Sequence, residues 1–65
     1  MKIDKKKING KLEDCGRDCK ELAEHLDIRY QSLILMLTRG STKNSTVRKM
    51  SEFLNCSINE IRKEG

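Results

Sequence analysis

The sequence predicts a small all-α domain. It has 65 residues and no proline, and its aromatic side chains are one tyrosine and one phenylalanine. Leu, Lys, Glu and Arg, which have high helix propensity, are abundant. A chain this short buries only about 60% of its unfolded-state surface, so we expect one core and one domain over residues 1–65. Binding through a surface is therefore favoured over catalysis in an enclosed pocket.

The first helix is predicted from Ile8, Leu12 and Cys15, whose i, i+4, i+7 spacing gives one apolar face. Asp4 is its candidate N-cap. Gly10 weakens this prediction, because glycine costs about 1 kcal/mol inside a helix. A turn at residues 9–10 followed by a shorter helix is the alternative.

The second helix follows Gly16, which ends the first. Asp18 offers an N-cap carboxylate, and Glu21 stands three residues later, as in a capping box. Leu22 and Leu26 supply the apolar patch of this short helix.

A tight turn joins the second helix to a third over Tyr30–Arg39, with Gly40 as its C-cap. Asp27 marks the turn, and Ile28 is expected to return to the core. Ala23 is small enough for two helices to cross closely at its position. The third helix is expected to bury Leu33, Met36 and Leu37.

The rest of the chain predicts a polar loop over residues 41–44, a fourth helix and a short fifth helix. The fourth helix is expected to end near Asn55, which tolerates a left-handed backbone. Ser57 and Glu60 form a capping box that opens the fifth helix. The predicted buried residues here are Val47, Met50, Leu54, Ile58 and Ile61.

Two stretches of the chain together match one known pattern. They comprise Glu21, Leu22, Ala23, Glu24, His25 and Leu26, then Ile28, Leu33, Met36, Arg39 and Gly40, and finally residues 53–61. In this order and spacing they resemble the lambda-repressor-like, Cro/CI-type (XRE) helix-turn-helix family. The resemblance covers residues 8–61. It implies a compact five-helix DNA-binding domain with a central helix-turn-helix over about 18–40, which binds operator DNA as a homodimer.

The candidate DNA-reading surface is the side of the third helix opposite its buried residues. Gln31 can bond bidentately to adenine, and Leu35 can contact a thymine methyl group. Arg29 and Tyr30 stand at the N-terminal end, the part that enters the groove first in such motifs. The whole predicted set on this helix is Arg29, Tyr30, Gln31, Ser32, Ile34, Leu35, Thr38 and Arg39.

Four further residues are candidates for phosphate contacts, which position a protein on DNA without reading sequence. Three of them are Lys20, Lys43 and Asn44. The fourth, Arg17, stands where the family usually has an apolar residue, so we expect its stem on the core and its charge at a phosphate. Asp27 also departs from the family, which commonly has glycine in the turn.

The apolar run over residues 33–37 is the largest departure from the family pattern. Ile34 and Leu35 are expected to be exposed, and exposed apolar side chains need a reason. Contacts with thymine methyl groups are one reason, and a protein interface is the other. The alternative function is therefore a protein-interaction module with the same fold.

The charges are segregated along the chain. Residues 28–51 contain five basic side chains and no acid, whereas residues 13–27 contain six acids. This pattern predicts a polarised surface that meets a polyanion on one side. The run Lys5, Lys6 and Lys7 is either a solvated helix face or an arm that contacts phosphates.

The cysteines and the histidine predict neither a metal site nor an enzyme. Cys15, Cys19, Cys56 and His25 match no standard zinc-ligand spacing. No nucleophile, base and orienting group stand together, and no cofactor or small-molecule substrate is predicted. Without an apolar leader or a membrane-spanning run, we expect a cytoplasmic chain with reduced thiols. A redox-sensing role for Cys19 is a minor alternative.

These observations predict a transcriptional regulator, such as a phage or mobile-element repressor or Cro-like protein, that binds a palindromic operator. The fifth helix and residues 62–65 are its candidate dimer contacts.

Overall fold

Four α-helices and one turn of 3-10 helix make up the computed structural model, which describes residues 1–63. The prediction of an all-helical chain is confirmed for these residues, whose only β-type pairing is two isolated bridges. The helices are α1 (Lys5–Cys15), α2 (Cys19–His25), α3 (Tyr30–Arg39) and α4 (Asn44–Phe53), and the 3-10 turn is Ile58–Glu60.

Two aspartates fix where α1 and α2 begin. Asp4 Oδ1 accepts hydrogen bonds from the backbone N–H groups of Lys6 and Lys7, at 2.9 and 3.2 Å. The Asp18 carboxylate accepts one from the backbone N–H of Glu21 at 2.9 Å. Each bond satisfies a first-turn donor that has no partner within its own helix. Both predicted N-caps are confirmed.

A residue with left-handed backbone follows each α-helix and redirects the chain. Gly16 and Gly40 have φ angles of 68° and 77°, which glycine adopts without steric cost. Asp27 and Asn55 have φ angles of 58° and 54°. Their short polar side chains make this conformation more accessible than it is for other residues. The turns predicted at these positions are confirmed.

A single apolar core joins the four helices. It contains every predicted core residue except the four corrected below, and in addition Ile3, which was not predicted from the sequence. The buried apolar residues are Ile3, Ile8, Leu12, Leu22, Ala23, Leu26, Leu33, Leu37, Val47, Met50, Leu54 and Ile61.

Ile3 is buried because the N-terminal segment pairs with two distant parts of the chain. Its backbone N–H donates to the carbonyl of Gly40 at 2.9 Å, and the N–H of Asp4 donates to the carbonyl of Ile61 at 2.9 Å. Isolated antiparallel bridges form between Lys2 and Ser41, and between Ile3 and Arg62. The N-terminus is thus tied to the end of α3 and to the segment after the 3-10 turn.

The predicted fifth helix is wrong, since residues 58–60 form only one 3-10 turn. The predicted capping box is present: the backbone N–H of Ser57 donates to Glu60 Oε2 at 2.8 Å. The helix does not continue, because Arg62 takes part in the bridge to Ile3. The alternative of a turn within the first helix is also wrong, since α1 passes through Gly10.

Four predicted core residues differ from expectation. Ile28 is 37% exposed; its backbone N–H closes the turn by donating to the Ala23 carbonyl at 3.0 Å, and this bond does not require a buried side chain. Cys15 is exposed at the last residue of α1, where its Sγ donates to the Leu54 carbonyl at 3.4 Å. Met36 and Ile58 are half-buried against the edge of the core. Ile34 differs in the opposite sense, since it was expected to be exposed, and it is described below with the outward face of α3.

One boundary is also refined. Asn44 is the first residue of α4 and not part of the preceding loop. Among residues 1–63, no helix has both the length and the apolar character needed to cross a lipid bilayer.

Replacing Leu33 with alanine should lower the free energy of unfolding by about 2–5 kcal/mol, because it removes a fully buried side chain and leaves a cavity. Leu35→Ala is the matched control on the same helix, since Leu35 is 63% exposed and its truncation should change stability by at most about 0.5 kcal/mol. Urea unfolding of both variants measures the difference. Equal losses would contradict the described rotation of α3.

Glu60→Gln should reduce the dependence of stability on acidic pH. The backbone N–H of Ser57, and then Lys11 Nζ at 3.1 Å, stabilise the Glu60 carboxylate and lower its pKa from the ordinary value of 4.5. Because the pKa of Glu60 is lower in the folded state than in the unfolded state, this stabilisation is present above pH 4.5. It is lost as the pH falls through the folded-state pKa. Thermal melting of both proteins below pH 4.5 tests this, and parallel losses of stability would contradict it.

Candidate nucleic-acid interface

The rotation of α3 is set by two buried leucines, and it determines which side chains face outward. Leu33 and Leu37 are at most 2% exposed. At 100° per residue, Leu35 lies on the opposite side, and it is 63% exposed. Gln31 and Arg39, one turn before and one turn after Leu35, are also exposed. These three side chains form a row along the outward face.

Most of the predicted reading residues lie on or beside this row. Ser32 and Thr38 are exposed on its two sides. Arg29 and Tyr30 are exposed at the N-terminal end of α3, and Tyr30 is 46% exposed. Ile34 differs from expectation: it is half-buried at the edge of the face, because it lies only about 60° around the helix from Leu37 and about 100° from Leu33.

The N-terminal ends of α3 and α4 differ from those of α1 and α2. Their N-cap residues are the basic Arg29 and Lys43, and no described side chain caps either end. Neither first turn contains an acid. Backbone N–H groups at such an end have no partner in the helix, and the helix dipole adds partial positive charge. Both ends are therefore favourable environments for an anion.

The end of α3 lies close to the start of α4. Arg39 and Lys43 line one shallow cavity together with Ser41 and Thr42. These two cations were predicted from the sequence as separate contacts. The structure brings them together because only residues 40–43 separate the two helices.

The five basic residues of the acid-free segment are all exposed. In the structure this segment forms the turn before α3, all of α3 and most of α4. The two ion pairs between residues 1–63 involve Lys11 and Arg17, so they neutralise none of these five. The exposed cations are Arg29, Arg39, Lys43, Arg48 and Lys49.

Arg17 lies apart from this group. Its guanidinium lies 4.7 Å from the centre of the Phe53 ring, and its Nη1 is 3.7 Å from Glu21 Oε2. Phe53 also packs against His25, with ring centres 4.9 Å apart. Phe53 is the last residue of α4, about 14 Å along the helix axis from its first residue. This aromatic contact was not predicted from the sequence, although Phe53 is the one phenylalanine available to form it.

Glu21 also explains why the predicted capping box of α2 is only half formed. Asp18 caps the helix, whereas the Glu21 carboxylate lies beside Arg17 and no bond back to the N-cap is found among the described residues. Lys20 is exposed in the first turn of α2.

Two of the thiols, those of Cys19 and Cys56, are partly buried, which disfavours their charged thiolate form. Burial raises the pKa of Cys19 and of Cys56 above the ordinary value of 9.0. A thiol with a raised pKa is a poor nucleophile at neutral pH, which disfavours redox sensing by Cys19. Within residues 1–63, no three His, Cys, Asp or Glu side chains are grouped so that they could hold a metal ion.

Comparison with known proteins finds no family model, no curated protein and no solved structure that matches this chain.

Proposed function

We propose that this chain is a sequence-specific DNA-binding transcriptional regulator of the lambda-repressor-like, Cro/CI type, a repressor or Cro-like protein of a phage or mobile element. In this proposal α3 enters the major groove. The observation that carries it is the outward face of α3, a row of Gln31, Leu35 and Arg39 within a segment that has five exposed cations and no acid. Polyanions are the partners that such a surface attracts.

The dimensions of α3 suit a major groove. An α-helix with its side chains is about 10–12 Å in diameter, and the groove of B-DNA is about 12 Å wide and accepts one α-helix. The outward side chains have the chemistry that base edges require. Gln31 would bond to adenine, Arg39 would bond to guanine or phosphate, and Leu35 would contact a thymine methyl group. The last contact gives a reason for a 63% exposed leucine at the centre of the face.

The phosphate contacts follow from the two helix ends without side-chain caps. At the start of α4, Lys43 and Asn44 would meet one phosphate together with free backbone N–H groups. At the start of α3, Arg29 would do the same on the other side of the helix. Lys20 and Arg17 are proposed as outer contacts, and Arg17 would need to leave Phe53 to reach DNA.

A homodimer would bind a palindromic operator. Half-sites one DNA turn apart need recognition helices about 34 Å apart. Two copies of a domain with extents of 28 × 22 × 19 Å are of suitable size for this spacing. The segment 62–65, predicted as a dimer contact, lies partly outside the described residues, which end at residue 63.

A protein-interaction module is the second candidate, because Leu35 and Tyr30 are exposed on the same helix. Salt separates the two functions. DNA affinity falls steeply as salt rises, since each neutralised phosphate releases counterions, whereas binding through an apolar face depends on salt only weakly.

Binding to labelled duplexes across about 50 to 200 mM salt tests the proposal. One duplex carries DNA that flanks the gene, and the other has random sequence. We expect tighter binding to the flanking DNA, with affinity for both falling as salt rises. No binding to either duplex would contradict the proposal and favour the protein-interaction module.

Gln31→Ala should lower affinity for the preferred duplex by about 1–3 kcal/mol and leave random-duplex affinity nearly unchanged, because it removes a base contact. Lys43→Ala is the matched comparison and should weaken binding to both duplexes alike, because it removes a phosphate contact. Titrations of each variant against both duplexes measure the effects. Equal losses on both duplexes for Gln31→Ala would exclude base reading by that side chain.

A further inference from the structure

Besides the outward face of α3, the protein has a basic groove beside the C-terminal end of this helix. One wall is the N-terminal segment from Lys2 to the first turn of α1, and the other is the end of α3 with residues 40–41. The groove has a volume of about 770 Å³. Its charged lining residues are Lys2, Asp4, Lys5, Lys6, Arg39 and Lys63.

This groove is strongly basic. Among residues 1–63 its lining includes five basic side chains and one acid, Asp4. One oxygen of Asp4 is occupied by the N-cap bonds of α1, and neither ion pair of residues 1–63 involves a groove residue.

The backbone that supports these cations is ordered by hydrogen bonds across the groove. The N–H of Ile3 donates to the carbonyl of Gly40 at 2.9 Å, and the N–H of Lys63 donates to the carbonyl of Lys2 at 3.1 Å. Lys2 and Lys63 thus lie on paired backbone, and Lys5 and Lys6 follow in the first turn of α1. Arg39 lines this groove and also the cavity shared with Lys43, so the basic surface continues to the start of α4.

We propose that this groove is a phosphate-binding site, and that on DNA it holds backbone phosphates beyond the C-terminal end of α3. That the phosphate comes from DNA rests on the proposed function. That the groove binds phosphate rests only on its own charged residues. Clustered ammonium groups are unfavourable to one another, and a phosphate relieves this repulsion while accepting several of their hydrogen bonds. Arg39 would join the phosphates of this groove to those at Lys43.

The test compares two variants with equal charge changes on the same helix. Lys5→Gln/Lys6→Gln removes two cations of the groove, whereas Lys7→Gln/Lys11→Gln removes two cations outside it. The slope of log affinity against log salt on a random duplex should fall by about 1.8 for the groove variant, at about 0.9 per phosphate. The control slope should change by less than half as much. Circular dichroism first verifies that both variants are folded.

A titration with inorganic pyrophosphate separates the groove from the proposed function. Amide shifts in ¹⁵N-labelled protein should move at Lys5, Gly40 and Ser41, and Lys5→Gln/Lys6→Gln should abolish these movements. Duplex binding with equal slopes for the two variants would overturn the groove and leave the proposed function standing. Pyrophosphate binding without any duplex binding would support phosphate chemistry in the groove and contradict DNA as its source. No shift with pyrophosphate and no slope difference would overturn the inference entirely.

Discussion

The burial of Leu33 and Leu37 fixes the rotation of α3, and the candidate interface depends on it. With these two side chains in the core, geometry alone points Gln31, Leu35 and Arg39 outward. The helix is held at both ends by residues outside it: the left-handed turn at Asp27 precedes it, and Gly40 terminates it. A different rotation would bury Gln31 and Arg39 and expose Leu33 and Leu37. The stability of the domain and the proposed reading surface therefore depend on the same packing of α3.

The N-terminal ends of the helices differ between the two halves of the chain. In the first half, Asp4 and Asp18 satisfy the N-terminal donors of α1 and α2 internally. In the second half, the N-cap residues are Arg29 and Lys43, whose side chains carry donors but no acceptor. The same half has no acid over 24 consecutive residues, from 28 to 51. Among residues 1–63, no side chain caps the start of α3 or α4, and an external anion would supply the acceptors there.

Local patterns predicted most of the fold, whereas contacts between distant parts of the chain were missed. The bounds of α3, both aspartate caps and the left-handed residues at Asp27 and Asn55 follow from interactions within a few residues, which sequence spacing reveals. The burial of Ile3 depends instead on pairing with Gly40 and Arg62, which are 37 and 59 residues away in the chain. The same pairing ends the predicted fifth helix after one turn.

The candidate site, like the fold, was predictable from the sequence only where local helical periodicity determines it. The outward row on α3 follows from helical periodicity, but the half-buried state of Ile34 depends on how neighbouring elements cover the edge of that helix. The contact of Arg17 with Phe53, and the approach of Arg39 to Lys43, depend on tertiary packing and on loop geometry. Helical periodicity indicates which side of α3 faces outward, and tertiary structure determines which cations join it.

Chemical protection of bound DNA distinguishes binding in the major groove from binding in the minor groove, because guanine N7 lies in the major groove and adenine N3 in the minor groove. The bound flanking duplex is treated with dimethyl sulfate, which methylates both atoms. Insertion of α3 into the major groove predicts protection of guanine N7 in two patches about one helical turn apart, with adenine N3 between them unaffected. Protection of adenine N3 alone, or of neither atom under saturating binding, would contradict the account.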